Sequence, residues 1–247
     1  MRQDETTRGG VTETGSTVPR RELGRLLRQT REKAGIGLEA AASDLEWSRA
    51  KMYDEVIPRW FQLYVGLESA ANRIRSYEQS LIPGLLQTPE YTAEVARCRP
   101  GITDDEVAKL VELRLERQRI LTRRRPTAPM LDEGLLHRSL PGMSRQIAKL
   151  IEAGEAPNVS VRIAPLNGKL NRAAVAGSFV ILDFPVKGAR SAEPTTVYNE
   201  SLSGALYLDR LDEVRAYAEV WNQLSAAALS SEESRTLLRR IMERHHD

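Results

Sequence analysis

The run GSFVILDFP, residues 177–185, is the strongest constraint on the fold, because it is apolar without interruption from Phe179 to Leu182. A half-buried strand alternates apolar and polar side chains, so a run apolar on both sides belongs in the middle of a sheet. TTVYNE, residues 195–200, is the expected partner across the polar loop VKGARSAEP. NVSVRIAPL sets Val159, Val161 and Ile163 on one side, as a half-buried strand does, and APMLDEGLLHRSL offers a short strand running into a turn. MSRQIAKLIEAG between them reads as a helix stopped by Gly154.

Upstream, the pattern from Pro58 to Arg124 reads as helical throughout. An aromatic helix starts at Pro58, LIPGLLQ forms a loop, and a second helix follows Thr88 as N-cap with Pro89 in the first helical position. A long amphipathic helix opens at Thr103 with Asp104, Asp105 and Glu106 in its first turn and closes on Arg123, Arg124 and Arg125. That polarity suits the helix dipole, so the arginine run reads as capping and solvation rather than phosphate binding. Near the end, Leu211, Val214, Tyr217, Trp221 and Leu224 recur at helical spacing, and Ser230 with Glu233 makes a capping box for a last helix. The expected class is α+β: a truncated N-terminal helix-turn-helix, a helical middle segment, and a small mixed or antiparallel sheet flanked by helices.

A chain of 247 residues can bury a core without disulfides or metal, and its one cysteine, Cys98, excludes an internal disulfide or a cysteine-built zinc site. That cysteine usage fits a reducing cytoplasm. No apolar run approaches the roughly 20 residues needed to cross a bilayer. Thirty-six basic residues against 34 acidic give a net charge of +2, which marks neither a strong non-specific nucleic-acid binder nor an acidic surface. Residues 1–19 are polar, small and mixed in charge, and are expected to be a disordered tail.

Residues 20–56 hold the layout of a helix-turn-helix in LRQTREKAGIGLEAAASDLEWSRAKMYDE. Ser48, Arg49 and Lys51 occupy the opening of the recognition helix, where Ser48 can cap and the two cations can reach phosphate or guanine. AGIGLEAAASDLEWSRAKM resembles the lambda-repressor-like unit of actinobacterial WhiJ-like regulators. The remainder, 57–247, is similar to the sensor-like domain of unknown function that accompanies it. WFQLYVGLESAANRIRSYEQSLIPGLLQTPEY, MLDEGLLHRSL, PNVSVRIAPL, GSFVILDF and TVYNESLSGALYLD follow in that family's order. Gly37 stands where the family generally has Ser or Thr, Ala41 where a leucine would pack, and Glu46 where a turn glycine would sit. Acidic Asp54 and Glu55 then follow, and the chain passes directly to the second domain without the rest of the DNA-binding bundle. DNA binding is therefore expected to be weakened or lost.

The resemblance implies transcriptional control, commonly of development or secondary metabolism, with the 57–247 domain receiving a small-molecule ligand or a small protein partner. A homodimer is expected if DNA is bound. Candidate pocket residues are Trp60, Tyr64, Glu68, Tyr77, Glu133, His137, Tyr198, Glu200 and Tyr207, polar or aromatic side chains that lie in apolar or family-like contexts. The alternative is a cofactor-independent cyclase or isomerase acting on an apolar intermediate, with Glu133, His137, Glu68 or Tyr77 moving the proton. Glu133 and His137 would share a helical face, whereas His245 and His246 are expected to be solvated at the C-terminus. A third reading is an antagonist of full-length relatives by shared dimerisation. No cofactor, metal or membrane partner is called for, since the chain has no GxSxG, phosphate loop, HExxH or dinucleotide fingerprint.

Overall fold

A computed structural model describes residues 56–245 apart from 124, 169, 170, 188, 189 and 192. Of the helix-turn-helix expected over 20–56, residues 20–55, with Ser48, Arg49 and Lys51, lie outside the described residues, as does the tail expected over 1–19. What is described is a mixed α+β fold: seven α-helices and a six-stranded mixed sheet.

In chain order the sheet strands and their helices are α1 (Arg59–Ala70), β1 (Arg73–Glu78), α2 (Pro89–Arg97), α3 (Asp104–Gln118), β2 (Thr127–Asp132), α4 (Met143–Ala153) and β3 (Arg162–Ala164). The second half gives α5 (Ala173–Ala176), β4 (Phe179–Asp183), β5 (Val186–Lys187), β6 (Arg190–Ser191), β7 (Thr196–Ser201), β8 (Gly204–Leu208), α6 (Leu211–Ala227) and α7 (Ser231–Met242). The sheet order is β3-β2-β1-β4-β7-β8, with β1, β2 and β3 parallel and β4, β7 and β8 antiparallel to their neighbours. The uninterrupted apolar run is β4, an interior strand as expected, and TTVYNE pairs with it antiparallel as β7. The intervening loop carries the two-residue strands β5 and β6, which pair with each other.

One segment corrects the sequence reading. The stretch expected to be helical from Pro58 to Arg124 is broken by β1, which lies between β2 and β4 inside the sheet. Its two-residue period is hidden because both faces mix charge and bulk. Ile74 and Ser76 are buried on one side and Tyr77 on the other, while Arg75 holds Asp183 on β4 at 3.0 Å. An arginine inside a sheet reads as a polar gap unless its carboxylate partner on the neighbouring strand is known. The LIPGLLQ loop also contains a single 3-10 turn, Gly84–Leu86.

The termini of the helices follow the sequence closely. Thr88 caps α2, and Thr103 with Glu106 and Ser230 with Glu233 form complete capping boxes on α3 and α7. Arg125 has a different role from the one expected: it donates to the carbonyls of Ser69 and Ala71, closing the C-terminal end of α1 rather than that of α3. No described helix is long and apolar enough to cross a membrane.

Strand alternation divides the core into two layers. On one face, Tyr77, Met130, Phe179, Ile181 and Val197 pack beneath Val220, Trp221 and Leu224 of α6 and Ala173 of α5. On the other, Leu131 and Ile163 meet Met143, Ile147 and Leu150 of α4 and Leu238 and Ile241 of α7. Further along that second face, Ile74, Val180, Leu182 and Tyr198 lie under Tyr64 of α1. Leu131 is wholly buried at the heart of this layer, so Leu131→Ala is expected to cost about 2–5 kcal/mol of stability in urea denaturation. Leu206→Ala, at a half-exposed position on edge strand β8, is expected to stay within about 0.5 kcal/mol.

Candidate functional site

The α1 helix carries Phe61, Tyr64 and Glu68 at spacings of three and four residues, which puts them on one face. That face meets α3, where Arg117 is buried. Arg117 grips Glu68 with two parallel hydrogen bonds, Nε to Oε2 and Nη2 to Oε1, each 2.8 Å. Tyr64 donates its hydroxyl to Glu68 Oε1 at 2.7 Å, so the buried carboxylate has three donors. The guanidinium also lies 5.0 Å from the Phe61 ring centre and 5.5 Å from that of Tyr64, where it meets the negative faces of both rings. Nη1 of Arg117 is buried and has no acceptor.

The sheet contributes the other wall. Register places Tyr198 beside Val180 on β4 and Tyr207 on β8, so both tyrosines face α1. The ring of Tyr198 stacks on Tyr64 at 4.2 Å and lies 5.2 Å from Tyr207. Its hydroxyl donates to Glu200 Oε2 at 2.8 Å, and Tyr207 donates to the carbonyl of Trp60. Trp60 stands edge-on to Phe61 at 6.1 Å and completes the aromatic rim.

Two further charged residues belong to the cluster. Arg114, one turn before Arg117 on α3, rests its guanidinium against Gly84 at the start of the 3-10 turn. A Cβ at position 84 would overlap Arg114 Nη1, so the glycine leaves the space that the guanidinium fills. Burial, and then the like charge of Arg117, lower the Arg114 guanidinium to about 10, against partial support from Glu68 and Glu200. Glu78 ends β1 close to Glu200; burial raises its carboxyl to about 7, with Glu200 adding to the rise and Ser178 and Arg114 opposing it. Burial would lower Arg117 too, but the charge and hydrogen bonds of Glu68 lift it above its ordinary value. Tyr64 and Tyr198 are both raised, chiefly by burial and then by Glu68 and Glu200 respectively, and stay protonated donors.

Of the nine pocket residues read from sequence, six meet here: Trp60, Tyr64, Glu68, Tyr198, Glu200 and Tyr207. The other three lie elsewhere. Tyr77 is on the opposite face of the sheet, packed on Phe179 at 5.9 Å and accepting a hydrogen bond from Gln79. Glu133 and His137 sit on a 3-10 turn, Glu133–His137, rather than an α-helix, with Nε2 and Oε1 3.5 Å apart. The second oxygen of Glu133 accepts from the Leu166 amide, which ties that carboxylate to a surface loop. The four residues proposed for catalysis are thus not gathered in one place. His245, expected to be solvated, instead lies with Nε2 2.9 Å from the carbonyl of Leu136; His246 is outside the described residues.

Arg114, Arg117 and Glu78 were not picked out in sequence. A signal for Arg117 was present: Val107, Leu110, Leu113 and Ile120 recur at helical spacing, and Arg117 falls on that apolar stripe.

Comparison with known proteins adds three findings. A family model described as "Domain of unknown function (DUF5753)" matches residues 61–240. No curated protein matches the chain. Among solved structures it is similar to TrmBL2, described as an archaeal chromatin protein that shows a novel mode of DNA binding, at 13% identity and a TM-score of 0.34. That alignment covers 91% of this chain and 76% of TrmBL2, and at such a score it carries no argument about fold or function.

Glu68→Gln leaves the Arg117 charge buried without a counterion and is expected to destabilise the fold by about 3–5 kcal/mol in urea denaturation. Tyr64→Phe removes one hydrogen bond to that carboxylate and is expected to cost less, about 1.5–3 kcal/mol. Glu78 binds its proton more tightly when folded, so the folded state loses stability as pH rises from 4.5 towards about 7. Melting temperatures across that window should therefore fall in the wild type relative to Glu78→Gln, and the two should converge below pH 4.5.

Proposed function

The chain belongs to the DUF5753 family, and from that premise we propose that its 57–247 domain receives a small molecule at the tyrosine–arginine cluster. The wider reading is a helix-turn-helix-derived, regulator-like protein in which contact with DNA is weak or lost. The observation that carries the ligand reading is the buried, unpartnered Nη1 of Arg117, whose guanidinium lies against Phe61 and Tyr64 in an aromatic cluster that Tyr198 and Tyr207 extend. A domain that needed only mechanical support at this junction would do as well with apolar side chains, and would leave no buried donor without an acceptor. Aromatic side chains with a few convergent polar groups are the usual lining of a small-molecule site.

A small-molecule thermal-shift screen tests this reading. Compounds that raise the melting temperature of the wild type are expected to lose that effect in Tyr198→Ala and Tyr207→Ala. Hits that act equally on both variants would refute the site. The enzymatic alternative would draw on a residue other than its four candidates, Glu78 at the end of β1, whose carboxyl burial pushes up to about 7, a range suited to proton transfer. Mass spectrometry of each hit after incubation separates the two: a receiver returns its ligand unchanged, and a cyclase or isomerase returns a product.

For DNA, Ser48, Arg49 and Lys51 are the proposed contacts, opposed by the acidic Asp54 and Glu55 that follow. Fluorescence anisotropy with a duplex from the protein's own upstream region is expected to show weak binding with a shallow salt dependence. A steep loss of affinity with salt, removed by Arg49→Ala, would show that the reader is intact.

A further inference from the structure

Resting on the reading of the cluster as a ligand site, we propose that Arg114 and the unpartnered Nη1 of Arg117 together receive the carboxylate of a small organic monoacid. Its apolar body lies against the rings of Tyr198 and Tyr207.

The donor arithmetic points to an anion. Arg117 spends Nε and Nη2 on Glu68 and keeps a buried Nη1 with nothing to bond. Arg114 stands one helical turn away and makes no hydrogen bond among the described residues, although its planar head offers five donors. The three nearby carboxylates do not fill this gap. Glu68 is held by Arg117 and Tyr64, Glu200 accepts from Tyr198, and Glu78 exerts its charge on Arg114 without bonding it. Two guanidiniums with open N–H groups on the same side of one helix match the two oxygens of a carboxylate.

The surrounding charge limits which anion fits. Arg114 and Arg117 face Glu68 and Glu200, and Glu78 is part-charged at neutral pH. The two guanidiniums are already balanced by Glu68 and Glu200, so one added negative charge is accommodated when Glu78 takes up its proton, and a dianion such as phosphate is opposed. Tyr198 is buried and stacked on Tyr64, so the apolar part of the ligand packs on the ring edge of Tyr198 and on the half-buried ring of Tyr207 beside it. Gly84 acquires a role here, because only a residue without a side chain lets the Arg114 head lie where it does.

Glu78 gives the site a pH dependence. It is opposed by Glu200, supported by Arg114 and bonded to Ser178, and an anion bound at Arg114 would raise it further. Binding then takes up a proton, and affinity falls by up to about tenfold per pH unit above neutrality.

The test is a titration of the full chain with phenylacetate, read from the guanidinium nitrogen signals in NMR, with neutral phenylacetamide as control. Phenylacetate is expected to shift the Arg114 and Arg117 signals saturably, and phenylacetamide to leave them in place. Arg114→Gln and Gly84→Ala are each expected to weaken binding at least about tenfold, the latter by displacing Arg114 with every charge kept. Glu78→Gln should flatten the pH dependence. If neither arginine responds to millimolar phenylacetate, or phenylacetamide binds as well and Arg114→Gln changes nothing, the carboxylate inference is overturned. In that case thermal-shift hits that still depend on Tyr207 would leave the broader ligand reading standing, and their absence would remove both.

Discussion

The forked ion pair between Glu68 and Arg117 organises one side of this domain. It joins α1 to α3 across a buried boundary, and the rings of Phe61 and Tyr64 lie against its cationic half. Because the carboxylate also accepts from Tyr64, the pair fixes that ring, which stacks on Tyr198 of the sheet. A single interaction therefore sets the positions of two helices and one strand. Its value for stability alone is small, since removing two charges from water offsets most of their attraction. Its value for geometry is larger, because two hydrogen bonds in one plane allow little rotation of either side chain.

The contrast with the rest of the core makes the same point. Between the sheet and α6 the core is filled by Met130, Ile181, Val197 and Leu224, and between the sheet and the α4–α7 pair by Leu131, Ile147, Leu150 and Leu238. Buried charge beneath a helix is concentrated at α1 and α3. Where a fold of this size can satisfy its packing with uncharged side chains in two regions, a buried ionic region in the third calls for another reason. The proposed reason is recognition, with the domain's apolar layers as the rigid support on which α1, α3, β7 and β8 hold the polar side chains.

Much of this was legible in the sequence, for identifiable physical reasons. The interior strand β4 announced itself because both of its faces are apolar, and α2, α3 and α7 because Thr88, Thr103 and Ser230 stand where caps must. Trp60, Tyr64, Glu68, Tyr198, Glu200 and Tyr207 stood out as polar or aromatic groups in apolar settings, and they come together. Strand β1 was missed because Arg75 is neutralised by Asp183, a partner 108 residues away that local periodicity cannot reveal. Arg114 and Arg117 were hidden in ELRLERQRILTRRR, where arginines are so frequent that each looks like part of a solvated face. The shifts at Glu78 and Arg114 could not be read at all, since they depend on burial and on charges brought from β7 and α3.

The central claim is that the Glu68–Arg117 region is built to recognise a ligand rather than to hold the fold together. Urea denaturation of the double variant Glu68→Met with Arg117→Leu, with and without phenylacetate, tests it most directly. The account predicts ligand-free stability equal to or above the wild type, by up to about 4 kcal/mol, because an apolar pair avoids the desolvation cost. It also predicts that the stability added by phenylacetate disappears. A double variant that unfolds more readily than the wild type by several kcal/mol, or one that keeps the full ligand-induced increment, would contradict it.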